Sequence, residues 1–141
     1  MTQRRPTFSI IVPVVHGGDR LQAALRSLLA LDPSGPDMVE ILVAAAGTVP
    51  PLPRPHPAGG QRLEIVHGAA RLATRLNQAV RSVRGNFLLF MDDDCIAPRD
   101  WLLRWKAAWD AHPDAGIIGG RDVLVSDSPR TPERSPGFAQ T

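Results

Sequence analysis

The sequence predicts an α/β fold: a mostly parallel sheet with helices on both faces. Three observations carry that expectation. Short apolar, β-branched runs alternate with amphipathic runs of helix length, the pattern of strands joined by crossover helices. The first run, "FSIIVPVV" (8–15), is apolar throughout, as a strand buried on both faces must be. A later run, "NFLLFM" (86–91), leads straight into three carboxylates, Asp92, Asp93 and Asp94. A strand's exposed end can carry such charges; a buried middle cannot.

The elements follow in order. "GGDRLQAALRSLLAL" (17–31) puts Leu21, Ala24, Leu25, Leu28 and Leu29 on one helical stripe, with Asp19 as the expected N-cap. "DPSGPD" (32–37) stops that helix, and "VEILVAA" (39–45) is the second strand. "GTVPPLPRPHPAGG" (47–60) has no periodicity and reads as a stiff surface connection rather than an SH3-type ligand. "RLEIVH" (62–67) is the third strand. Residues 69–83 form a second helix with Leu72, Leu76, Ala79, Val80 and Val83 on one face, stopped by Gly85. "NFLLFM" is the fourth strand. Pro98 suits the first turn of a third helix, whose buried face holds Trp101, Leu102, Trp105 and Trp109. "HPDAG" turns the chain, and "IIGGRDVLV" (117–125) reads as a fifth strand weakened by its glycines. The domain is expected to span 1–125. The Pro-rich tail, 126–141, has almost no apolar content and is expected to be disordered. Crossovers between parallel strands should be right-handed, and ligands should bind beyond the strands' carboxyl ends.

Composition excludes several classes. The chain has 141 residues, enough for one domain or a piece of one. A net charge of +2, scattered arginines, few aromatics and no Tyr argue against a nucleic-acid surface. Cys95 is the single cysteine, so no disulfide framework exists, which fits a reducing, cytoplasmic setting. The start, "MTQRRPTFSIIVPVV", contains Pro13 and runs into "HGGDR" without a small-residue cleavage pattern; it reads as a strand rather than a signal peptide. No run reaches the roughly 20 apolar residues of a membrane span.

Adjacent carboxylates after a buried strand suit a hard divalent cation, Mg²⁺ or Mn²⁺, which takes oxygen ligands and leaves room for phosphates. In extended backbone i and i+2 point the same way, so Asp92 and Asp94 can face one site while Asp93 faces away. The plainer reading is a solvated acidic loop near a helix N-terminus. The residues alone leave both open.

The order of motifs resembles the nucleotide-binding half of a family-2 glycosyltransferase with the Rossmann-like GT-A fold. "IIVPVVHGGDRLQAALRSLLA" takes the place of the family's first strand and turn, "LVAAAGT" (42–48) that of its "VVDDGS"-like run, and "TRLNQAVRSVRG" (74–85) that of its "ARN" or "ALN" helix. "NFLLFMDDD" matches "xxLLFxDxD", "PRDWLLRW" the "P-x-x-W-L" helix, and "AGIIGGR" the closing Gly-rich strand. The resemblance covers about residues 7–125.

It implies transfer of a sugar from a nucleotide diphosphate sugar, of UDP or GDP type, assisted by a divalent cation. Asp94 would coordinate the metal bridging the phosphates, and Asp92 would join it and lie near the ribose; Asp93 would be a secondary contact. The turn from Pro13 to His16 would lie against base and ribose. Val15 stands where the family often has an aromatic, leaving apolar contact without stacking. His16 takes the place of an Asn; a plain loop histidine is the alternative. Ala45 and Ala46 stand where the family has an acidic pair and cannot accept a hydrogen bond from the base, while Gly47 keeps its turn. Asn77 keeps the family's amide, and Arg71 or Arg75 could reach a phosphate, a solvated arginine being the alternative for each. The family's catalytic base lies downstream. Asp122, Asp127 and Glu133 match no such motif, so the acceptor half is expected from a missing C-terminal region or a partner chain. Two other readings stand beside this one: a non-catalytic binding module of the same fold, and a HAD-type phosphatase, against which Ile96 stands where that motif has Thr or Val.

Overall fold

The computed structural model describes residues 7–32, 39–56 and 60–124. In chain order they form β1 (Phe8–Pro13), α1 (Gly18–Leu29), β2 (Val39–Ala45), β3 (Gln61–His67), α2 (Leu72–Val80), β4 (Phe87–Phe90) and α3 (Trp101–Ala111). The sheet order is β3-β2-β1-β4, and every neighbouring pair is parallel. The chain steps outward from β1 to β2 and β3, then returns to lay β4 on the other side of β1. The strand order therefore reverses between β1 and β4, and the crevice beyond their carboxyl ends is where such sheets hold ligands.

Both faces are covered, as the uniformly apolar first strand requires. Phe8, Ile10 and Val12 of β1 and Ile41 and Val43 of β2 point to one face, against Leu21, Ala24, Leu25 and Leu28 of α1 and Leu102 of α3. Ile11, Leu42 and Ala44 point to the other, against Ala79, Leu76 and Val83. Each fully buried Leu or Ile contributes about 1.5–3 kcal/mol over leaving it in water. The first face is extended by a run of rings: Phe8 stacks on Phe87 at 5.6 Å, and the tilted pairs Phe87–Trp109 and Trp109–Trp105 follow at 4.5 and 5.7 Å between centroids. No helix of the described residues is long and apolar enough to cross a membrane.

At the amino end of the sheet the Ser9 hydroxyl donates to Glu40 Oε1 at 2.5 Å and accepts the Gly85 N–H at 2.8 Å. The Arg84 N–H reaches the same Glu40 oxygen at 2.6 Å. This knot ties the α2–β4 connection to β1 and β2, and it fixes where β4 begins.

Several expectations are corrected. Residues 117–124 form no strand; Ile117, Val123 and Leu124 are largely exposed, without the cross-strand neighbours that would hold them. Val125 and the tail expected to be disordered lie outside the described residues. Pro98 precedes α3, which starts at Trp101. Gly17 rather than Asp19 is the N-cap of α1, at φ 65°; Asp19 sits in the first turn. On α2, Leu72 and Val80 are exposed, and Arg75 takes the buried position beside Ala79. Gly85 does not stop α2, which ends at Val80; it is needed because a Cβ there would fall 2.5 Å from Ser9 Oγ and 2.7 Å from its backbone nitrogen.

Candidate functional site

β1 ends at Pro13, and the chain turns through Val14–Gly17 into α1. β4 ends at Phe90; after it Met91 still donates to Ile11 O at 3.1 Å. The Cys95 N–H then closes a turn onto Asp92 O at 3.2 Å, with Asp93 and Asp94 at its corners. The two loops meet at Asp93. Its Oδ2 accepts three consecutive backbone N–H groups, those of Val15 at 2.9 Å, His16 at 2.8 Å and Gly17 at 2.7 Å. Its Oδ1 lies 2.9 Å from His16 Nδ1.

Successive N–H groups leading into a helix form a concavity for an anion. Here the chain's own carboxylate fills it. Asp93 is fully buried, and burial by itself would raise its pKa. The Gly17 N–H, the His16 ring and the Val15 and His16 N–H groups outweigh that effect and hold the carboxyl below the ordinary range. Gly17 is suited to this place because the chain turns from the loop into α1 there at φ 65°, a conformation that favours glycine.

The partners of this anchor remain accessible. His16 and Asp94 have side chains 44% and 37% exposed, with Asp94 Oδ2 at 3.8 Å from His16 Nδ1. One ligand atom from each of His16, Asp93 and Asp94 lies within 4.8 Å of the others, a grouping that could hold a cation. Asp93 is already saturated by four hydrogen bonds. The accessible ligand atoms are then those of Asp94, whose Oδ1 also lies 3.9 Å from Cys95 Sγ, and the His16 ring nitrogen that is not bonded to Asp93; so small a set would suit a divalent cation that keeps several positions for other oxygens. Burial and then the charges of Asp122, Asp94 and Asp92 push the Cys95 thiol up.

Behind the loop, Arg75 of α2 is buried. Its guanidinium donates to Val14 O at 3.0 Å, Ala69 O at 3.0 Å and Ala70 O at 2.8 Å. It is thus neither a solvated arginine nor a free phosphate ligand; it braces the carboxyl end of β1 from behind. Arg71 is exposed at the start of α2.

Of the residues singled out from sequence, Val15, His16, Asp93 and Asp94 come together. Pro13 is buried at the end of β1, and Ala45 is buried at the end of β2. Ala46 and Gly47 beyond Ala45 are exposed, as is Asn77 on α2. Asp92 is exposed on the same turn but is not one of the three clustered donors. The expected alternation of Asp92 and Asp94 assumed that the strand runs through them, and β4 stops at Phe90.

Parallel topology, a reversal of strand order and carboxylates at that reversal define an α/β domain with an acidic switch-point site. The chain belongs to glycosyl transferase family 2, whose model matches residues 9–138. Solved structures share the fold. Residues 1–349 of TarS from S. aureus superpose with a TM-score of 0.54 at 19% identity, over 85% of this chain and 39% of that one. TarS 1–349 in complex with UDP-GlcNAc gives 0.53 at 20% identity, over 85% and 37%. The mannosyltransferase PcManGT from Pyrobaculum calidifontis, in complex with GDP-Man and Mn²⁺, gives 0.55 at 23% identity, over 80% and 34%. The chain thus spans about two fifths or less of the length of these proteins. No curated protein matches the sequence.

Proposed function

We propose that this chain is the donor-binding portion of a glycosyltransferase, holding a nucleotide diphosphate sugar through a divalent cation, Mn²⁺ or Mg²⁺, at the β1/β4 crevice. The observation that carries the reading is the filled concavity at Asp93. The anion cradle formed by the Val15–Gly17 N–H groups is occupied by the protein's own carboxylate, and Asp94 beside it adds negative charge. Repulsion between like charges disfavours the approach of a bare diphosphate to such an edge. A cation between them removes the conflict.

Asp94 would hold the cation, with His16 as the second donor. Asp93 positions His16 by fixing the Val15–Gly17 backbone and the imidazole. Asp92, exposed on the same turn, is left to face the ribose or a metal-bound water. Bound there, the cation would supply Lewis-acid stabilisation of the charge on the departing diphosphate. Val15 offers an apolar surface to the nucleoside. The domain is read as 1–125, with the acceptor site and catalytic base supplied by further chain or a partner. The solved complexes with UDP-GlcNAc and with GDP-Man and Mn²⁺ support the ligand class.

The test is a calorimetric titration of the chain with UDP and with GDP, with and without Mn²⁺. Binding is expected only with the metal, and Asp94→Ala should weaken it at least about tenfold while leaving stability within about 0.5 kcal/mol, since the side chain is exposed. Metal-independent binding, or binding indifferent to Asp94→Ala, removes the reading.

A further inference from the structure

We infer that the site recognises the metal-bound diphosphate and not the base, so that nucleoside diphosphates bind alike whichever base they carry. This rests on the donor reading above and specifies its substrate class. With a ligand anchored at the β1/β4 crevice, β4 is the outer strand of the described sheet, while β2 and β3 continue the sheet on the other side of β1. Among the described strands, those that continue the sheet past β1 lie in one direction, so a ligand laid along the strand ends passes over the carboxyl ends of β2 and β3.

That floor is made of small or ambivalent groups. Ala45 is buried and Ala46 and Gly47 are exposed, with Gly47 turning the chain at φ 91°. The polar side chains at these ends are Thr48 and His67, both exposed. A carboxylate cannot arrive from the same stretch of chain: between Glu40 and Asp92 the only acidic residue is Glu64. Glu64 lies in mid-strand, in register with Leu42, and is engaged with Arg62 at 2.6 Å. A hydroxyl and a neutral imidazole each donate or accept as required. They can meet the imino N–H of uracil or guanine and the amino groups of cytosine or adenine equally well. Strong discrimination needs a buried polar group that the wrong base leaves unpaired. Exposed Thr48 and His67 simply keep their water.

The experiment is calorimetric titration of the full chain in Mn²⁺ with UDP, CDP, GDP, ADP and inorganic pyrophosphate. The four nucleotides are expected to agree within about fivefold, below the tenfold or more that a paired base contact supplies. A spread above fivefold overturns the inference. Metal-dependent pyrophosphate binding would in that case leave the donor reading standing. If no compound binds with Mn²⁺, both fall.

Discussion

Asp93 shows what a residue can do that its neighbours in sequence do not announce. The run "MDDDC" presents three equivalent carboxylates, and period-two alternation favours the outer two. The structure instead buries the middle one, because β4 ends at Phe90 and the aspartates lie on a turn. Its partners are more than 75 positions away, at Val15, His16 and Gly17. Such pairing is a product of topology, so no local pattern could have found it; "HGG" after a buried strand was the one hint. Asp93→Ala should leave three N–H groups without an acceptor and destabilise the chain by about 2–3 kcal/mol in urea unfolding, where Asp94→Ala does not. The sign with pH follows from the lowered carboxyl. The ionised Asp93 stabilises fully above its unfolded pKa of about 3.9, and this contribution is lost as pH falls through the lower folded value. The gap between the parent and Asp93→Ala should therefore hold from neutral pH down to that point and close below it. A gap that instead widened in acid would contradict the assigned anchor.

At the scale of elements the sequence was most informative where burial is total. β1 and β2 are buried at every position, and α1 buries four of the five residues on its expected stripe. Prediction failed where packing is one-sided. α2 carries a plausible apolar face, yet Leu72 and Val80 are exposed, because Arg75 brings its own bonds to the interior and Ala79 supplies the close approach to β1 and β2. The run 117–124 has strand-like residues, but Gly116, Gly119 and Gly120 weaken it and no described strand lies beside it to accept its backbone bonds. Gly85 looked like a helix stop and is a contact point. A methyl group there meets Ser9 N at 2.7 Å and the Phe8 carbonyl carbon at 2.9 Å, backbone atoms that cannot rotate away. Gly85→Ala should cost about 1–3 kcal/mol in urea unfolding and loosen the Ser9–Glu40 bond. An unchanged midpoint would mean that the α2–β4 connection shifts freely, and that the knot does not set the start of β4.

The whole molecule is two unequal cores built on one shared sheet. All three tryptophans lie on α3, packed against the larger core with α1, so fluorescence reports that face. The smaller core under α2 contains no tryptophan. Neighbouring positions of β2 supply both: Ile41 faces the α1/α3 side and Leu42 the α2 side, each essentially without exposure. Truncating either to alanine should cost about 2–5 kcal/mol. Because β1 and β2 bond to each other through residues that feed both cores, neither face can be lost without disordering the strands that hold the other. Leu42→Ala should therefore move the fluorescence midpoint as far as the far-UV circular dichroism midpoint, although the nearest tryptophan is across the sheet. Ile41→Ala should move both by a similar amount, in one transition. If Leu42→Ala lowered the dichroism midpoint and left the fluorescence midpoint in place, the α2 layer would be a separately melting unit. Arg75, which braces the loop beneath the proposed cation site from that layer, would then link that site to the less stable half of the molecule.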